Sequence, residues 1–124
     1  ATAEFFTDAA RVLLPGGLLA MNLGDRAPFD WSKRCLAGLA LSLPQQGVSA
    51  EVSVGKGRRY GNLVVLASAR SLPIAALERT LARASFPYRL ISGISLQAWV
   101  GGLAPFTDAD SRPSIDPVAR GWFT

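Results

Sequence analysis

The run Pro15-Gly16-Gly17, set between a helical pattern and an apolar strand, constrains this chain more than any other feature. From Thr2 to Leu14, Phe5, Phe6, Ala9, Val12 and Leu13 recur near helical spacing, with Glu4, Asp8 and Arg11 between them. Thr2 is placed to cap that helix. Proline then terminates it, and the two glycines supply positive φ and close packing for a tight reversal. Leu18-Leu19-Ala20-Met21-Asn22-Leu23 follows at once. It shows no alternation before Asn22, which predicts an interior strand covered by helices on both sides.

Gly24 to Pro28 breaks that strand, and Asp30 is a good N-cap for a second helix with Trp31, Cys35, Leu36, Leu39, Ala40 and Leu43 as its apolar stripe. Pro44 and Gly47 end it. Val48–Val54 alternates as a half-exposed strand, Gly55–Gly61 is a basic loop containing Lys56, Arg58 and Arg59, and Asn62–Ser68 reads as a buried strand. Two strands joined with no helix between them should pair antiparallel. Pro73 opens a third helix with Ile74, Leu77, Leu81 and Ala84 on its apolar face, ended by Phe86-Pro87. A short element near Leu90-Ile91 leads to a helix over Ser95–Val100, ended by Gly101-Gly102. From Leu103 to Thr124 the chain is rich in Pro, Asp and Ser and reads as loop.

Composition removes several chemistries. The chain has 124 residues, one cysteine and no histidine. An internal disulfide is excluded, and a structural zinc site has no ligand set. A histidine base and Cys–His or Ser–His nucleophile pairs are excluded as well. The net charge of +4 comes almost entirely from arginine and is spread along the chain, as expected of a solvated basic surface. No apolar stretch approaches a membrane span. There is no signal-peptide pattern, and Ala1 stands directly before a helical pattern, which suggests a chain cut from something longer.

The segment Arg11–Asn22, a helix ending in Leu-x-Pro-Gly-Gly and running into an apolar strand, resembles the link between the fourth helix and fifth strand of class I S-adenosylmethionine-dependent methyltransferases. The antiparallel pair that follows resembles the sixth and seventh strands of that fold. Tyr60-Gly61-Asn62-Leu63-Val64-Val65-Leu66-Ala67-Ser68 is similar to the Gly-Asn-x-Val-x-x-Ala-Ser strand of spermidine synthase-like proteins. Phe86-Pro87-Tyr88-Arg89 and Pro105–Pro113 resemble C-terminal segments of the same group. The resemblance covers about residues 2 to 113. It implies a three-layer α/β fragment of a Rossmann-like, methyltransferase-type sheet with a terminal antiparallel strand pair. Residues 1–113 would form the C-terminal half of such a domain, and 114–124 a tail. The Gly-rich cofactor loop, the acidic ribose-binding residue and the catalytic Asp of these enzymes belong to the first four strands, and none lies here. Gly16-Gly17 follows a helix and a proline, the wrong context for a dinucleotide loop.

Four residues are candidates for a substrate site. Asp25 and Asn22 stand at the C-terminal end of the predicted strand, where open α/β sheets bind ligands. The resemblance implies amine contacts there, while Gly24-Asp25 also suits a simple turn. Tyr60 occupies the loop where spermidine synthases carry a Tyr-containing segment near the amine pocket. Here the family's Pro-rich loop is replaced by Lys56-Gly57-Arg58-Arg59, whose cations would repel an amine; the loop could equally hold an anionic group, and a solvated hairpin tip is the first reading of it. Asp108, with Asp110, offers either paired carboxylates for an amine or a hydrogen-bonded turn. Trp31, Trp99 and Phe106 are expected to be packing residues, and Cys35 an inert core thiol.

The expectation is therefore a fragment of an S-adenosyl-dependent aminopropyl- or methyltransferase that is inactive alone. It should bind no cofactor by itself, S-adenosylmethionine or its decarboxylated form being implied only for the parent. The expected partners are the missing N-terminal half and a second copy joined through the bare edge of Leu18–Leu23. A cytoplasmic location is expected, with no membrane partner. The rival reading is a non-catalytic binding or dimerisation module that keeps the fold. A nucleic-acid-binding domain ranks last, because interleaved aromatics are lacking.

Overall fold

The computed structural model describes residues 2–13, 16–83 and 88–110. Pro15, Ala84, Phe86-Pro87, the end of the Pro105–Pro113 motif and the tail 114–124 lie outside the described residues. The elements run α1 (Ala3–Arg11), β1 (Leu19–Asp25), α2 (Asp30–Ala40), β2 (Gln45–Glu51), a one-turn α3 (Val52–Gly55), β3 (Gly61–Ser68), α4 (Ile74–Ala82), β4 (Tyr88–Ser92) and α5 (Gly93–Val100).

The strands form one sheet in the order β1-β3-β2-β4. β2 and β3 pair antiparallel with Val48 opposite Val65, as the direct connection between them requires. β3 also pairs antiparallel with β1, Leu23 opposite Leu63, so β1 and β2 run parallel with β3 inserted between them. β4 adds antiparallel to the outer edge of β2.

Period-two alternation divides the sheet into two faces. Leu23, Leu63, Val65, Ala67 and Val48 point into the core, where they meet Leu36, Leu39 and Cys35 of α2, Leu96 of α5, Phe6 of α1 and the loop residue Phe106. On the other face, α4 covers the β2–β4 side: a Cβ placed on Gly47 would touch Leu72, Ile74 and Leu90. Over β1 and β3 that face stays open, with Ala20, Asn22 and Asn62 exposed and Val64 37% exposed. The architecture is thus mixed α/β with an incomplete outer helical layer.

Three expectations need correction. β1 forms an edge, open on one face, and is not an interior strand covered on both sides, because among the described residues nothing pairs with its outer side. Asn62–Ser68 is likewise buried on one face only. The strand predicted through Val54 ends at Glu51, since the chain coils into α3 and Val54 folds back under the start of β3. A Cβ on Gly61 would stand 2.4 Å from Val54 Cγ2, so this position accepts only glycine without a shift.

Candidate functional site

The C-terminal ends of the parallel strands β1 and β2 lie together at one end of the sheet, the place where α/β sheets present ligand-binding loops. Asp25 ends β1 and is fully buried. Its carboxylate accepts from the Ser32 backbone N–H at 3.0 Å and the Ser32 hydroxyl at 2.8 Å, while its other oxygen accepts from the Arg26 N–H at 2.8 Å. Ser32 sits in the first turn of α2, whose cap residue is Phe29 in the left-handed region at φ 66° with no side-chain cap of its own. Asp25 therefore does, from seven residues upstream, what an N-cap side chain normally does. Asp30, expected as the cap, is instead the first helical residue.

Tyr60 approaches the same strand end from β3. A Cβ on Gly24 would come within 2.1 Å of the Tyr60 hydroxyl oxygen, so the missing side chain at Gly24 makes room for the phenol. Asn22 is exposed on the open face, two residues before Gly24 and on the same side of β1. The sheet thus brings Asn22, Gly24 and Tyr60 to one face and turns Asp25 into the core behind them.

Asp108 is held elsewhere. It accepts a hydrogen bond at 2.8 Å from Thr2 Oγ1, and its N–H donates to Glu4 at 3.1 Å, so it fastens the 103–110 segment to the start of α1. Thr2 also caps α1 as expected, accepting from the Phe5 N–H at 3.1 Å. Asp110 closes a turn on the Thr107 N–H at 2.7 Å and pairs with Arg34 at 2.7 Å. The Thr107 N–H, followed by the Arg34 guanidinium, lowers its pKa to about 2. Arg34 also donates to the carbonyls of Ala104 and Pro105, and its guanidinium lies 3.8 Å from the centre of the buried Phe106 ring. Asp110 thus closes the turn and Asp108 ties it to α1, while Arg34, unremarkable in sequence, holds its other side.

The basic loop is partly neutralised. Arg59 pairs with Glu51 and donates to Ser53 Oγ at 3.0 Å, tying the loop back to the end of β2. The cysteine thiol is 1% exposed and its pKa is raised, chiefly by burial, as fits an inert core residue.

No protein-family profile and no curated protein matches this chain. Comparison with solved structures is decisive for the fold. The chain is similar to a probable spermidine synthase from Corynebacterium glutamicum, with a TM-score of 0.79 and 29% identity over 93% of its residues. The fold is spermidine synthase-like. The chain spans 43% of the length of that protein. The inserted antiparallel β3, the open face over β1 and the Gly24–Tyr60 contact thus belong to a methyltransferase-like sheet. The fold expected from Arg11–Asn22 and Tyr60–Ser68 is the fold observed.

Among the described residues no helix is long and apolar enough to cross a membrane. The open face over β1 and β3 carries Ala20, Asn22, Asn62, Val64 and Leu66, with the Tyr60 ring at its end over Gly24.

Proposed function

We propose that this chain is the part of a spermidine synthase-like, S-adenosyl-dependent transferase that lies beside the acceptor substrate, and that it binds no cofactor alone. The single observation that carries this reading is the similarity over 93% of the chain to less than half of a probable spermidine synthase. The parent reaction would be aminopropyl or methyl transfer by displacement at the carbon beside a sulfonium. The protein's share of such a step is positioning, together with removal of the acceptor's proton. Asn22 and Tyr60, on the same open face, are the groups of this chain offered to the acceptor. Asp25 acts by holding α2 and the strand end in place. Asp108 has no part in the site, since its carboxylate is engaged at α1. A cytoplasmic location goes with this reading.

The open face and the unpaired edge of β1 are where the rest of the parent fold, or a second copy of the chain, would pack. A non-catalytic module that retains the fold is favoured by one feature, the replacement of a Pro-rich loop by Lys56–Arg59 in the loop that ends at Tyr60. Calorimetric titration of the chain with S-adenosylmethionine and with its decarboxylated form tests the reading. Neither should bind, and micromolar binding of either would overturn it.

A further inference from the structure

At the C-terminal end of β2, on the core side of the sheet and away from Asn22 and Tyr60, lies a cavity of about 180 Å³. Its floor is sheet, including Ala50, and its walls are Phe29 and Trp99. The aromatic walls are fixed in place. The two rings pack 5.6 Å apart at 45°, and Lys33 Nζ lies 4.8 Å from the centre of the Trp99 ring. A cavity of this size holds a molecule with one ring, since about 150 Å³ suffices for benzene.

The charged rim is formed by Glu51, Lys56 and Arg89. Glu51 is satisfied by Arg59. Lys56 and Arg89 have no ion pair or hydrogen bond from their side chains among the described residues. Among the described residues, the rim therefore presents two cations without a charged partner around an apolar hole. Apolar walls with a few convergent polar groups are what small-molecule sites are made of, and here two cations stand beside one carboxylate that is already paired with Arg59.

We infer that this cavity is a binding site for a small, apolar monoanion, a one-ring or branched carboxylate whose body rests against Trp99 and whose charge meets Lys56 and Arg89. The site is separate from the acceptor face and does not depend on the transferase reading. It gives Lys56 of the 55–61 loop a role that a cationic amine would not.

Benzoate, benzyl alcohol and benzylamine share a ring and differ in charge. Titrated into the chain and followed by amide and indole NMR shifts, benzoate should saturate with Kd on the order of 1 mM or tighter. It should shift the Trp99 indole, assigned with Trp99→Phe. Benzyl alcohol should bind more weakly, and benzylamine most weakly. Lys56→Gln and Arg89→Gln alter exposed side chains. Each should weaken benzoate by about two- to fivefold and leave benzyl alcohol unchanged. Ala50→Leu should fill the cavity and abolish both. If that variant fails to fold, the two charge variants still decide. Absence of saturation at 10-fold the expected Kd would overturn the inference. So would benzylamine binding as tightly as benzoate, or benzoate affinity that ignores Lys56 and Arg89.

Discussion

The Asp25 carboxylate and the Ser32 backbone N–H, 3.0 Å apart in the core, join the end of β1 to the first turn of α2. Three donors converge on that carboxylate. Asp25→Ala leaves the Ser32 N–H and hydroxyl buried without their acceptor and removes the helix's side-chain cap. It should cost about 2–4 kcal/mol of stability. Chemical denaturation checks this. Asp25→Asn keeps an acceptor and should cost less. A loss under 1 kcal/mol for Asp25→Ala would mean that the cap is dispensable.

Asp25 also shows where sequence reasoning reached its limit. Its place at a strand end was legible, because an apolar run followed by Gly-Asp marks that end. Its partner was not, because a cap supplied from seven residues upstream has no local signature, whereas Asp30 carries the usual one. Thr2 caps α1 from the ordinary position, so its role is legible for the same reason. The paired strands and the fold were legible from the direct connection between β2 and β3 and from the Tyr60–Ser68 pattern. The exposure of β1 was not, since a run of apolar residues looks the same whether one face or both are covered. The engagement of Asp108 by Thr2 spans 106 positions and leaves no trace in local pattern.

Gly24→Ala places a methyl where the Tyr60 hydroxyl now lies, and the ring must move. Relieving such an overlap costs about 1–3 kcal/mol. Tyr60→Phe in the Gly24→Ala background should recover part of that loss, because the overlapping atom is the hydroxyl oxygen. Thermal unfolding of the two variants and wild type decides this. A double variant no more stable than Gly24→Ala would refute the close approach.

Asp110 should make the chain sensitive to acid. Its folded pKa is about 2 against an ordinary 3.8, held down first by the Thr107 N–H and then by Arg34. A depressed carboxylate contributes stability that is present above its unfolded pKa and lost as pH falls through the folded one. Asp110→Asn should therefore lower Tm at pH 7, and the gap to wild type should close between about pH 4 and pH 2. The effect is modest, since the group faces solvent and salt screens it. A gap that persists at pH 2 would assign the loss to the turn's geometry and not to its charge.

The open face over β1 and β3 should drive association. Val64 is 37% exposed and Leu18 52% exposed, beside a strand edge that carries no Lys or Pro to discourage pairing. Light scattering at tens of micromolar, an on-the-order-of range that brackets weak dimers, should find a dimer. Val64→Lys should shift it toward monomer. A monomeric wild-type chain would mean that this face is covered by another part of the chain.

Complementation tests the central claim most directly. The portion of the Corynebacterium glutamicum protein outside the matched region is produced separately and mixed with this chain. A co-purifying complex that binds an S-adenosyl compound is expected, while this chain alone should bind none. Binding of that compound by this chain alone, or failure of the two pieces to associate, would contradict it.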